Sequence, residues 1–199
     1  MQDDKICDMR NQQSDIAGLE SLIDFAFQSG GCSLLSMVEV GSYAGQSMEI
    51  FANTGKVKEI LCIDPWVPGW DENDPATDSN MLKVEELFDN KMKSVSDKCE
   101  ITKFKGTLQS FVGSPEYIRF MQRCKRVDLV YIDALHTYDG CKSDILISRY
   151  ALNPRIGISG HDYQPGWEDV CRAVNETVGM PDRTFSDSSW FKILRSKND

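Results

Sequence analysis

"LLSMVEVGSYAGQSMEIFANTGKVKEILCID", residues 34–64, decides the fold. A short apolar run (34–40) stops at Gly41, a helical stretch (44–55) closes at Gly55, and a second apolar run (58–64) ends at Asp64. Two parallel strands need a long crossover, usually a helix, so this rhythm is that of a β-α-β unit. Gly41 lets the chain turn sharply after the first strand, and Gly45 lets the first turn of the helix approach a ligand closely. The spacing is G-x-x-x-G, which is neither the dinucleotide fingerprint nor a phosphate-binding P-loop. Asp64 follows Gly41 by about 23 residues, near the distance at which an acidic side chain meets the ribose hydroxyls of a nucleoside in such a unit.

The same alternation extends in both directions. Upstream, Ile16, Leu19, Leu22, Ile23 and Ala26 recur at helical spacing over 15–29, and "SGG" stops them. Downstream come a helix near 81–95, a strand at 99–106, a helix at 114–124, a strand at 127–133, a helix at 138–150, a strand at 155–160 and a helix at 166–179. "RTFSDSSWFKILRS" reads as a closing hairpin. The expectation is an α/β fold with a mainly parallel sheet, helices on both faces and a C-terminal antiparallel hairpin. One domain fills residues 1–199: an N-terminal helical segment (1–30), a core (34–178) and the hairpin (182–196). In such sheets ligands bind beyond the carboxyl ends of the strands, which sets "VGSYAG", "CIDPW", "YIDALH" and "SGHDY" along one rim. The long irregular stretch 65–80, rich in Pro, Asp and Trp, reads as a loop that is either functional or disordered.

Composition narrows the partners. With 41% apolar residues and 10% aromatics the chain is an ordinary globular one, and its net charge of −9 speaks against general nucleic-acid binding and anionic membranes. Seven cysteines without a C-x-x-C pair fit neither a disulfide framework nor a zinc ribbon, so reduced thiols in a cytoplasm are expected. The N-terminal stretch has no apolar segment long enough for a signal peptide or a membrane span.

The chain holds only two histidines, His136 in "YIDALHTYDG" and His161 in "SGHDYQPGW", each near an aspartate after an apolar run. Taken with Glu39-x-Gly41-x-x-x-Gly45 and Asp64, these motifs resemble the class I S-adenosylmethionine-dependent methyltransferases. Within that class they are most similar to the metal-dependent small-molecule O-methyltransferases, some of which act on sugars. The resemblance covers about residues 34–178 and implies a Rossmann-like, seven-stranded sheet. It also implies that Glu39, Gly41, Ser42 and Gly45 line the methionine and ribose part of the cofactor, that Asp64 binds the ribose, and that Thr107 or Ser110 touches the adenine. Trp66 either covers the adenine face or anchors its loop on the sheet edge. Asp133 borders both cofactor and metal; Asp133, His161 and Asp162 are the implied ligands of a divalent cation, Mg²⁺ or Mn²⁺. His161 stands where those sugar enzymes present an acidic ligand, so it either favours Mn²⁺, Fe²⁺ or Zn²⁺ over Mg²⁺ or simply orients Asp162.

His136, three residues past Asp133, takes the position of the general base, since a hydroxyl needs its proton removed before it attacks. Asp128 is read as a surface or capping residue, and Tyr138, Asp144 and Glu176 as structural helix positions. The acceptor walls are the 65–80 loop and "DYQPGW", aromatic and acidic, which suits a neutral or cationic small molecule. A homodimer partner completing the pocket stays open. So do two other readings: a metal-dependent hydroxylase or hydrolase on a similar fold, and a non-catalytic S-adenosylmethionine-binding module.

Overall fold

A computed structural model describes residues 12–72, 74 and 79–194. Helix α1 (Gln13–Gly30) precedes strand β1 (Leu35–Val40), α2 (Gln46–Asn53), β2 (Val57–Asp64), α3 (Met81–Ser94) and β3 (Glu100–Lys105). Then follow α4 (Leu108–Val112), α5 (Pro115–Cys124), β4 (Leu129–Ile132), α6 (Tyr138–Ile147) with a π-helical turn at Ser148–Leu152, β5 (Gly157–Gly160) and α7 (Glu168–Val178). Strands β6 (Arg183–Thr184) and β7 (Trp190–Ile193) close the chain. Every expected element is present; the short α4, inside a stretch read as a loop, is an addition. The ends of the expected segments at 1–11 and 195–196, and parts of the 65–80 loop, lie outside the described residues.

The seven strands run in the order β3-β2-β1-β4-β5-β7-β6. All pairs from β3 to β5 are parallel, and β7 lies antiparallel to both β5 and β6. Both faces are buried, which is why the strands read as nearly continuous apolar runs. Along β1, Leu35 and Met37 pack with α1, α2 and α3 residues such as Leu22, Phe51 and Phe88. Val38 and Val40 pack on the opposite side with Phe111, Phe120, Ile145 and Val174. The strand order reverses between β1 and β4, so the carboxyl ends of these two strands open a crevice where ligands enter such sheets.

Asp128 corrects its expected surface role. It is buried at the start of β4, accepts the Ser36 backbone N–H at 3.0 Å, and receives Arg155 Nε at 2.9 Å. Arg155 also donates to the Gly30 carbonyl, tying α1 to the amino end of the sheet, away from the crevice. Glu176 keeps its structural part by accepting the Tyr138 hydroxyl at 2.6 Å. Asp144 sits half-buried on α6, and burial pushes its carboxyl up to about 7. The six described cysteines are free thiols, with burial holding Cys99 and Cys141 near 12; Cys7 lies outside the described residues. Among the described residues no helix is long and apolar enough to cross a membrane.

Candidate active site

The crevice begins where β1 ends. Gly41 has a left-handed φ of 86°, and a Cβ on it would stand 1.7 Å from the Asp133 carbonyl oxygen. Only glycine lets the β1 and β4 exits touch there, and the Asp133 N–H closes the contact on the Val40 carbonyl at 2.8 Å. Gly45 also has a left-handed φ, 78°, but a Cβ there would meet Phe88 and Met48, so its bareness serves core packing at the start of α2.

The side chains of Glu39 and Ser42 are both buried. Glu39 is 0% exposed and accepts the hydroxyls of Ser42 at 2.7 Å and Ser47 at 2.5 Å. Both side chains lie beneath the loop and shape it by fixing the 41–45 turn to the first turn of α2. Asp64 does face the crevice, beside Gly41, Tyr43, Val67, Trp70 and Asp133. Its two oxygens accept the backbone N–H groups of Tyr43 (2.9 Å) and Trp66 (2.7 Å). Burial raises its pKa, and these N–H groups oppose the rise. Each oxygen retains acceptor capacity for a hydroxyl.

Trp66 takes its anchoring alternative and not the adenine-covering one. It is 4% exposed, packs on Phe88 at 5.0 Å under the Lys103 ammonium, and donates its Nε1–H to the Tyr43 carbonyl. Thr107 and Ser110 form the capping box of α4, each side chain accepting the other's backbone N–H. Their hydroxyls are therefore committed to the helix start. The turn before them stays next to Asp64, because Gly106 N–H donates to the Asp64 carbonyl at 2.9 Å.

On the other side of Gly41, Asp133, His136 and Asp162 bring one ligand atom each within 4.8 Å of one another. His136 Nε2 is 2.9 Å from Asp162 Oδ2 and 3.8 Å from Asp133 Oδ1. Among the described residues it is the His136 ring that clusters with the two aspartates. His161 flanks the group, with Nδ1 3.1 Å from Asp162 Oδ1 and 4.0 Å from Asp133 Oδ1, and Nε2 3.4 Å from Ser188 Oγ. Its contacts fit a residue that orients Asp162. Asp162 holds a left-handed φ of 60°, and its pKa is lowered because the His136 and His161 hydrogen bonds outweigh burial, which pushes it the other way.

Asp71 completes the group and had no signal in the sequence. It comes from the 65–80 loop, is buried, and its Oδ2 accepts both the backbone N–H and the ring Nδ1–H of His136 at 2.7 Å. Sixty-five positions separate the pair, so no spacing rule joins them. The Trp167 ring lies 4.4 Å from the His136 ring. Burial alone would lower the His136 pKa, but the carboxylates of Asp133 and Asp162 overcome it and push it up to about 11. Both carboxylates thus favour the protonated imidazole.

The family model for a methyltransferase domain matches residues 38–163. No curated protein matches the chain. Among solved structures it is similar to CalS11, a TDP-rhamnose 3'-O-methyltransferase of calicheamicin biosynthesis, at 14% identity and a TM-score of 0.54, over 94% of this chain and 81% of that one. It is also similar to an O-methyltransferase from Bacillus cereus in complex with SAH (13%, TM-score 0.53, 92% and 82%). A third is the ribosomal protein L11 methylase from Lactobacillus delbrueckii subsp. bulgaricus (13%, TM-score 0.52, 87% and 76%). At these identities the likeness is one of fold, and its members differ in the acceptors their names give.

Proposed function

Because the chain belongs to the methyltransferase-domain family and is a class I S-adenosylmethionine-dependent methyltransferase, we propose that it methylates a hydroxyl of a small acceptor, a sugar or a phenol. The observation that carries this reading is the convergence of Asp133, His136 and Asp162 beside the crevice edged by Asp64. Methyl transfer is a direct displacement at a sulfonium, so the protein's tasks are to align two ligands and to remove one proton.

Asp64 is the partner for the ribose hydroxyls, and the Tyr43 and Trp66 N–H groups hold its carboxylate still for them. The Gly41 turn leaves room between β1 and β4 for the methionine end. His136 Nε2 is the proton acceptor, with Asp71 holding the other ring nitrogen. The two carboxylates, Asp133 and Asp162, suit a divalent cation such as Mg²⁺ or Mn²⁺, whose charge would also offset their pull on the His136 proton. Asp133 and Asp162 would hold such an ion next to His136, and when bound it supplies positive charge that lowers the pKa of the acceptor hydroxyl. Val67, Trp70 and Trp167 offer flat apolar walls for a ring, and the surrounding aspartates suit a neutral or cationic acceptor over a polyanion.

Isothermal titration tests the cofactor part: S-adenosylmethionine binds the wild type, and Asp64→Ala weakens it by about a hundredfold, the loss of two hydrogen bonds to a charged acceptor. Unchanged affinity in the variant removes Asp64 from the cofactor site. Formation of S-adenosylhomocysteine across a panel of sugars and phenols tests the acceptor, and chelator-insensitive turnover would remove the metal.

A further inference from the structure

We propose that Asp71 is the positioning residue for His136, setting the direction in which Nε2 points; this rests on the reading of His136 as the proton acceptor. One oxygen, Asp71 Oδ2, receives two donors from the same residue, the backbone N–H and the ring Nδ1–H, each at 2.7 Å. A bond to the backbone alone would hold the loop but leave the ring free to turn. A bond to the ring alone would leave the main chain free. Sharing one acceptor fixes the ring relative to its own backbone, and the Trp167 ring at 4.4 Å lies against it. The result is an Nε2 directed at Asp162 Oδ2, 2.9 Å away.

Asp71 is also held on its own side. It is 6% exposed, and five residues earlier Trp66 is locked into the core by its ring contacts and its bond to the Tyr43 carbonyl. Pro68 restrains the segment between, since proline fixes its own φ. The segment Asp64–Asp71 therefore links the carboxylate assigned to the ribose with the one that aims the imidazole. Carboxylates that orient a functional histidine in this way typically change its performance by about ten- to a hundredfold when removed.

Imidazole NMR on the full-length, ¹⁵N-labelled protein tests this without an acceptor or a cofactor. The chain has two histidines, so His136→Gln and His161→Gln assign both rings. The expected spectrum shows a slowly exchanging, strongly downfield Nδ1–H on His136 that Asp71→Asn retains, because an amide oxygen accepts the same bond, and that Asp71→Ala loses. A signal unchanged in Asp71→Ala, or lost in a folded Asp71→Asn, overturns the proposal. If Asp71→Ala does not fold, the wild type decides: a His136 Nδ1 without a protected proton overturns it, and its presence together with the Asn rescue supports it. Failure of the base reading shows elsewhere, as full methyl transfer by His136→Gln.

Discussion

His136 Nε2 stands 2.9 Å from Asp162 Oδ2, while His161 Nδ1 approaches the other oxygen of the same carboxylate at 3.1 Å. The two histidines share one aspartate but differ in their other partners. His136 is tied to Asp71 behind and to Asp133 and Asp162 ahead, whereas His161 leans on Ser188 and lies at the flank. His136→Gln should lower kcat by about a hundredfold or more, the usual scale for losing a general base. His161→Gln should cost about tenfold, the scale of an orienting partner. Initial rates of S-adenosylhomocysteine release check both, and equal losses would contradict the division of labour.

Metal addition should stabilise the folded chain, because a ligand that binds only the native state shifts its unfolding equilibrium. Both Mg²⁺ and Mn²⁺ are expected to raise the melting temperature, given two carboxylates side by side. Asp162→Ala should abolish the shift. Melting curves with each ion and with chelator measure it.

Asp144 provides a pH-dependent term outside the site. Its folded-state pKa, about 7, lies above the ordinary value of 3.8, so the folded chain holds the proton more tightly than the unfolded one. Between those values the unfolded state has already released its proton, and stability falls as pH rises, by at most about 1.4 kcal/mol per pH unit. Asp144→Asn removes the titration. The variant should therefore gain melting temperature over the wild type at pH 8 and little at pH 4.

Gly41→Ala should be the most damaging single methyl in the crevice. The added Cβ would fall 1.7 Å from the Asp133 carbonyl oxygen, in a backbone conformation that alanine disfavours. The expected loss is ~4 kcal/mol or more, with separation of the β1 and β4 exits. Gly45→Ala, whose neighbours are side chains of Phe88 and Met48, should cost about 1–2 kcal/mol. Urea titrations of the two variants compare them.

Most of the fold was legible because its signals are local. The apolar runs at 34–40, 58–64 and 127–133 are read from neighbours in the chain, and so are the stops at Gly41 and Gly55. The strand-exit aspartates 64, 133 and 162 were legible for the same reason. α4 escapes the pattern because five residues carry too little periodicity to stand out, and Thr107 and Ser110 cap it. A motif gives order along the chain, not the side of the loop to which each side chain turns, so the burial of the Glu39 and Ser42 side chains lies beyond its reach.

By itself the sequence determined the alternation of strand and helix, the glycine turn after β1 and the residue types gathered at the strand exits, since hydrophobic period and backbone sterics act over a few residues. The tertiary structure alone decided which of those residues meet. Whether His136 or His161 joins Asp133 and Asp162, and that Asp71 reaches back across 65 positions to hold the chosen ring, depends on strand order and on the path of one loop. Hydrogen bonds act over about 3 Å of space, whatever the separation along the chain.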